Sequence, residues 1–252
     1  MNRVAAIVLH YGMNDLTRTA VAHIQNQYMS SDVYVIDNGS PQPFEDRRIQ
    51  VIRLSKNHFY AGGYNRGIKF VLESGDYKYI WIVTNDVQLR SRLTLTYLYN
   101  DLEIYQNCAD VVPSSLSNLD FLRYDRGRSG VRAVRFTEWT MALIRSDAWR
   151  EVGPMVESLK ASCMDLEWCY RAAVLGWASM VDYRVQIDHP YSGTWNGMKD
   201  CLPTTQLTSY GKDEEELVRL YGPQWKRELW PEVAGVSKPV LRLEKVRGPV
   251  HG

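Results

Sequence analysis

Tyr79–Arg90 reads YIWIVTNDVQLR, an apolar and β-branched run that stops abruptly at Thr84-Asn85-Asp86. Such a run, bounded by polar residues, reads as a buried strand. The aspartate just past it is costly to take out of water unless something pairs with it. A metal, a basic side chain or water are the candidates, and the rest of the chain has to decide among them.

Outward from this strand, strand-like and helix-like segments alternate. RVAAIVLHY is a buried strand, and Asn14-Asp15 offers a cap for LTRTAVAHIQNQ, in which Leu16, Ala20 and Ile24 recur at helical spacing. DVYVIDNGS and IQVIRLS are two further strands. The Gly-rich NHFYAGGYNRG and the helix-compatible IKFVLESG separate them from the strand at Tyr79, and RLTLTYLYNDLEIYQ beyond it is again helical. This β-α-β-β-α-β order predicts an α/β fold around a mostly parallel sheet flanked by helices. Ligands of such sheets collect beyond the carboxyl ends of the strands. His10-Tyr11, Asp37-Asn38, Asn57 and Asn85-Asp86 would then share one edge.

Composition sets limits. The 252 residues are 45% hydrophobic and 23% charged, with a net charge of +1, which gives no electrostatic case for a nucleic-acid partner. Eight Trp and sixteen Tyr exceed what a bare core needs and suit stacking on bases or sugar rings. The four cysteines, Cys108, Cys163, Cys169 and Cys201, form no CxxC pair, which argues against a zinc ribbon and suits reduced thiols in the cytoplasm. Val4–Leu9 is too short for a signal sequence, and no stretch reaches the roughly 20 apolar residues of a membrane helix. A cytoplasmic protein is expected, with docking at the inner face of a membrane and self-association left open. No GxGxxG follows the first strand, and no GxxxxGK[ST], GxSxG or HExxH occurs.

The second half is less regular. LRYDRGRSGVRAVR carries Arg123, Arg126, Arg128, Arg132 and Arg135, read as a solvated loop or hairpin ahead of an anion contact. Ser146-Asp147 is a plausible helix cap within TEWTMALIRSDAWREVG, DLEWCYRAAVLGW is a helix closed by Gly176, and ASMVDYRVQIDHP is a strand. From about Cys201 the pattern weakens, apart from the short helix KDEEELVRLYG. The expected organisation is a main domain over 1–200, its nucleotide-binding half at about 1–110 and its acceptor half at about 111–200. An irregular, partly helical extension follows over 201–252.

Taken in order, these segments resemble family 2 of the nucleotide-sugar glycosyltransferases, which have the GT-A fold, and most closely the rhamnosyltransferase-like branch. The resemblance runs from about Val4 to Trp195. It rests on Tyr11-Gly12 after the first strand, the intact Asp37-Asn38-Gly39-Ser40, the segment NHFYAGGYNRG, the IVTNDV counterpart of an Asp-x-Asp motif, the acidic helix start CMDLEWCYR and the His loop IDHPYSGTW. Two family carboxylates are replaced, one by Thr84 and one by Met164.

The resemblance implies an inverting transfer of a sugar from a UDP- or dTDP-sugar to a hydroxyl of a glycan, lipid-linked or protein-linked acceptor, as in polysaccharide biosynthesis. His10, Tyr11, Asp37, Asn38, Asn57, Gly63, Asn65 and Asn85 would line the donor site. Asp37 would accept a hydrogen bond from base or ribose, its alternative being an Asx turn before Gly39. Asp86 and His189 would hold Mn²⁺ or Mg²⁺. Asp165 would be the general base, its alternative a helix-start carboxylate serving the macrodipole. Glu167, Trp139 and Trp195 would meet the acceptor, although core packing accounts for either tryptophan equally well. Two other readings remain in play at this point: a catalytically inactive sugar-binding module, and another nucleotide-using enzyme such as a nucleotidyltransferase.

Overall fold

Every residue of Tyr79–Val83 is buried, and the alternation of its side chains explains why the run is apolar on both faces. In the computed structural model this strand, β4 (Tyr79–Thr84), sends Ile80 and Ile82 into one core and Tyr79, Trp81 and Val83 into another. The structure describes residues 3–115, 129–160, 162–189, 209–231, 235 and 238–245, and of 209–211 the backbone only. Arg123, Arg126, Arg128, Trp195 and Cys201 lie outside the described residues.

β1 (Val4–His10) lies beside β4 and is followed by α1 (Asn14–Gln25), β2 (Asp32–Asp37), β3 (Gln50–Arg53) and α2 (Phe59–Ser74). Beyond β4 come β5 (Gln88–Leu89), α3 (Thr94–Ile104), β6 (Cys108–Ser115), β7 (Val131–Val134), β8 (Met141–Arg145), α4 (Ser146–Val152), α5 (Met164–Val174) and β9 (Ala178–Asp188). Two further helices, α6 (Ser209–Tyr221) and α7 (Trp225–Leu229), close the described chain. The strands form one sheet in the order β3-β2-β1-β4-β8-β6-β9-β5, with β7 paired to β9. The half built from β3, β2, β1 and β4 is parallel. The other half is mixed: β8 runs antiparallel to both β4 and β6, and β6 is parallel to β9.

One face of the sheet packs against α1 and α3 through Ala20, Val21, Ile24, Leu95, Leu98 and Leu102. The other packs against α2, α4 and α5. The C-terminal extension joins this second face, where Leu217 of α6 and Trp225 and Leu229 of α7 are buried. Near the end of the described chain the backbone at Arg242 and Glu244 bonds the side chain of Asn107, so the tail crosses the domain.

Helix starts depart from the expected caps. Asn14 is the first residue of α1, not its cap; Met13 takes that position in left-handed backbone, with φ 52°. Arg145 precedes α4, and Asp147 instead accepts the Ala148 amide within the first turn at 2.8 Å.

The Gly-rich segment is not a loop but the first half of α2, and its glycines explain how that helix lies against the sheet. A Cβ on Gly63 would stand 2.6 Å from Leu9 Cδ1, and one on Gly67 would stand 2.6 Å from Ile36 Cγ1. The close approach is therefore to side chains of the sheet, not to a ligand. Alanine in place of a mid-helix glycine ordinarily gains about 1 kcal/mol. At Gly67 the clash with Ile36 in β2 reverses the sign, since overpacking costs about 1–3 kcal/mol. Gly67→Ala should lower the urea midpoint of unfolding with the m-value unchanged; a raised midpoint would mean that α2 can move away from the sheet freely.

Candidate active site

The register of the parallel strands assembles one edge. β1 pairs with β2 and β4 so that His10 stands beside Asp37 and Leu9 beside Thr84. Half-buried Tyr11 follows at the same edge. His10 is fully buried, its Nδ1 lies 2.7 Å from Thr17 Oγ1, and burial pushes its pKa down to about 4, so it is neutral. Asn85 donates to the same Thr17 hydroxyl at 3.3 Å, which links the ends of β1 and β4 through α1. Two buried atoms at this edge, His10 Nε2 and Thr84 Oγ1, have no hydrogen-bond partner among the described residues.

Asp86 and His189 meet. Past Asp86 the chain forms β5, which runs antiparallel to the end of β9 with Gln88 opposite Asp188. His189 follows directly, and its Nε2 comes 3.5 Å from Asp86 Oδ1, the side chains being 12% and 7% exposed. Two neighbouring ligands of one hard cation stand about 3 Å apart for bonds of about 2.1 Å. A carboxylate with an imidazole therefore fits a divalent ion, and oxygen donors of a diphosphate would suit Mg²⁺ or Mn²⁺. Among the described residues no group of three or more His, Cys, Asp or Glu could hold a metal ion, and Asp86 and His189 alone would supply part of a shell. Thr84, in the place of the family's first acid, adds a hydroxyl and no charge.

The donor-side residues form a tight frame, and here several expectations need correction. Asp37 is fully buried and uses both oxygens internally: it accepts the amides of Ser40 (2.8 Å) and Phe44 (3.1 Å) and pairs with Arg53. It stabilises the turn at Gly39 (φ 72°) and offers no face to a nucleotide base. Asn38 bridges Asn57 and the backbone of His58 and Phe59. Asn57 also accepts the Phe59 amide at 2.7 Å. Asn65 clasps Met155 through both backbone groups, at 2.9 and 3.0 Å, and so fixes the loop after α4. These amides hold the walls of the edge.

On the other side Asp165 opens α5, just after Cys163, whose left-handed backbone (φ 63°) is uncommon for a residue other than glycine. Its two oxygens accept the amides of Leu166 (2.8 Å) and Trp139 (3.1 Å). Burial raises its pKa, and those amides pull it partly back. Met164, where the family has an acid, is buried in the apolar core, a setting in which an unpaired carboxylate would be costly. Glu167 is engaged inside the protein by Arg171 (2.8 Å) and the Tyr221 hydroxyl (2.5 Å); it ties α5 to α6 and does not face an acceptor. Trp139 is 1% exposed and packs against Trp149 and Trp168, with ring centroids 6.3 and 4.9 Å away, so its ring is core and not a sugar platform. Trp195 falls outside the described residues.

Tyr60, which sequence reasoning passed over, lies between the two halves. Its hydroxyl donates to the Trp139 carbonyl. Burial, the Tyr64 phenol, and then the charges of Asp165 and Asp86 all hold it protonated, so both carboxylates act on one side chain. The rings of Tyr60 and Tyr64 meet at a tilt of 59°, centroids 4.7 Å apart, on one face of α2, the i, i+4 spacing that could have flagged the pair.

Comparison with known proteins agrees with this fold. None of the curated proteins matches the sequence. Among solved structures, the mannosyltransferase PcManGT of Pyrobaculum calidifontis, in complex with GDP-Man and Mn²⁺, superposes with a TM-score of 0.59 at 16% identity, over 94% of this chain and 76% of its own. TarS 1–349 of S. aureus superposes with a TM-score of 0.61 at 11% identity, over 91% and 73%. At such identities the likeness is one of fold. The sequence model described as Glycosyl transferase family 2 matches residues 6–151, more than half of the chain, and the chain belongs to that family of glycosyltransferases.

Proposed function

We propose that the protein transfers one sugar from a nucleoside diphosphate donor to an acceptor hydroxyl with inversion at the anomeric carbon. The observation that supports this reading, in a chain of the glycosyltransferase family 2, is the approach of His189 to Asp86 at the sheet edge, with the buried Asp165 held by two backbone amides on the acceptor side. The acceptor oxygen attacks the anomeric carbon, the bond from that carbon to the diphosphate oxygen breaks, and the acceptor proton passes to the Asp165 carboxylate. A base whose proton affinity is raised by burial suits that task, and the amides of Trp139 and Leu166 keep its lone pairs oriented. Asp86 and His189 hold the divalent ion, which when bound stabilises charge on the departing diphosphate as a Lewis acid. A UDP- or dTDP-sugar, the donor that the resemblance implies, would set its base against Asp37. Because that carboxylate is engaged within its own turn, the donor is assigned as a nucleoside diphosphate sugar, and binding of UDP, dTDP and GDP is the measurement that names the base.

Asp86→Ala and His189→Ala should each abolish the rise in melting temperature that Mn²⁺ adds to a nucleoside diphosphate. In the wild type that rise reflects about 2.7 kcal/mol when ligand stands at about 100 times its dissociation constant. A variant that keeps the full Mn²⁺ effect would place the ion elsewhere.

Asp165→Asn should lower turnover by roughly 10²–10⁴-fold, the usual contribution of a general base. It cannot accept both amides, so it should also lose about 1–3 kcal/mol of stability from the unpaired Trp139 N–H, and rates must be compared below the shifted transition. NMR of the product should show the inverted anomer. Retention of configuration, or near-normal turnover by the variant, would remove Asp165 from the base role.

A further inference from the structure

Asp110 has no part in the chemistry above, yet it is a carboxylate with 0% exposure in the middle of β6. A buried carboxylate persists only where donors surround it. Here there are three. The Ser179 hydroxyl donates to Oδ1 at 2.6 Å, while the Trp139 indole N–H, at 3.2 Å, and the Thr137 hydroxyl donate to Oδ2. The indole also contacts the Thr137 hydroxyl at 3.0 Å. Trp139 is thus fastened at three points: its ring by Asp110, its carbonyl by Tyr60 and its amide by Asp165. Of these, only Asp110 belongs to the sheet.

We infer that Asp110 is a positioning residue: it anchors Trp139 to the sheet so that the Trp139 amide holds the Asp165 carboxylate in its working orientation. The inference rests on the reading of Asp165 as the base. The path is short and covalent where it matters, since ring and amide belong to one residue. A small displacement of a reacting group, on the order of 1 Å, costs up to about 10²-fold in rate. The effect should therefore fall on the chemical step. Asp86 and His189 are brought together by the β5–β9 pairing, to which Asp110 does not belong, so nucleotide and ion binding should be spared.

The side chain itself supplies the control. Asp110→Ala removes the acceptor and frees the indole. Asp110→Asn keeps one oxygen for the indole and can turn its NH₂ toward Ser179, whose hydroxyl rotates to accept. The experiment measures kcat as release of nucleoside diphosphate from whichever of UDP-glucose, dTDP-rhamnose and GDP-mannose is turned over. The affinity for UDP, dTDP or GDP with Mn²⁺ is measured by calorimetry alongside. Expected are a fall in kcat of about 10- to 100-fold for Asp110→Ala, nucleotide affinity unchanged within about twofold, and recovery of most of kcat in Asp110→Asn. Trp139→Phe, which deletes the indole N–H and keeps the ring and the main-chain amide, stands in should the alanine variant not fold, and should also lower kcat with affinity unchanged. Wild-type kcat in Trp139→Phe, or in a folded Asp110→Ala, would reduce Asp110 to a packing role. Asp165→Asn, assayed beside them, keeps the two ideas apart: if it alone is impaired, the anchoring fails and the base stands, and if it turns over normally, the base reading fails first.

Discussion

A carboxylate at the end of a strand buried on both faces has to be paired, and in this protein that demand ties the two halves of the sheet together. Asp86 leaves β4 with 7% exposure, and the group set against it, His189, is about a hundred positions away in the chain. The two-residue strand β5 pairs with the end of β9 and brings them together. A ladder this short contributes little stability. Its consequence is positional, because it brings His189 against the carboxylate at the end of β4. The Arg90–Asp188 ion pair lies in the same crossing and reinforces it at the surface.

Other buried carboxylates obey the same demand in different ways. Asp37 receives two amides and a guanidinium, Glu167 a guanidinium and a phenol, and Asp110 two hydroxyls and an indole. Each is saturated from within the chain. Asp165 receives only backbone amides and has no cationic partner among its named contacts, so burial raises its proton affinity. The amides orient Asp165 and offset only part of the effect of burial, so its proton affinity stays raised.

How much of this could be read in advance follows from which physical signals a sequence carries. Hydrophobic runs report burial, so β1, β2 and β4 were visible, and polar residues that end such runs reported the edge on which the site lies. Asp86, His189 and Asp165 came through as residues of one constellation only because ordered motifs across the chain pointed to a family; no local spacing joins them. What stayed hidden is hydrogen-bond saturation. Nothing in DNGS says that Arg53, thirteen residues on from Ser40, will reach back to occupy Asp37, or that Tyr221 will occupy Glu167 from beyond the main domain. For Trp139 sugar stacking and core packing were equally open, because its ring joins Trp149 and Trp168, which belong to helices further along the chain.

The two replaced acids can be weighed on the same grounds. At Met164 the side chain lies in the apolar core, and of the two carboxylates in the first turn of α5 Asp165 is oriented by two amides while Glu167 is engaged by Arg171 and Tyr221. At Thr84 the loss is of charge near the ion. With one acid fewer, a divalent ion held as proposed by Asp86 and His189 would be bound less tightly by these residues alone, and a larger share of its shell would come from phosphate oxygens. On that proposal ion and donor would bind interdependently, the ion adding most where the diphosphate is present. The Thr84 substitution would then shift affinity from the free protein to the donor complex, the state in which charge develops on the leaving group.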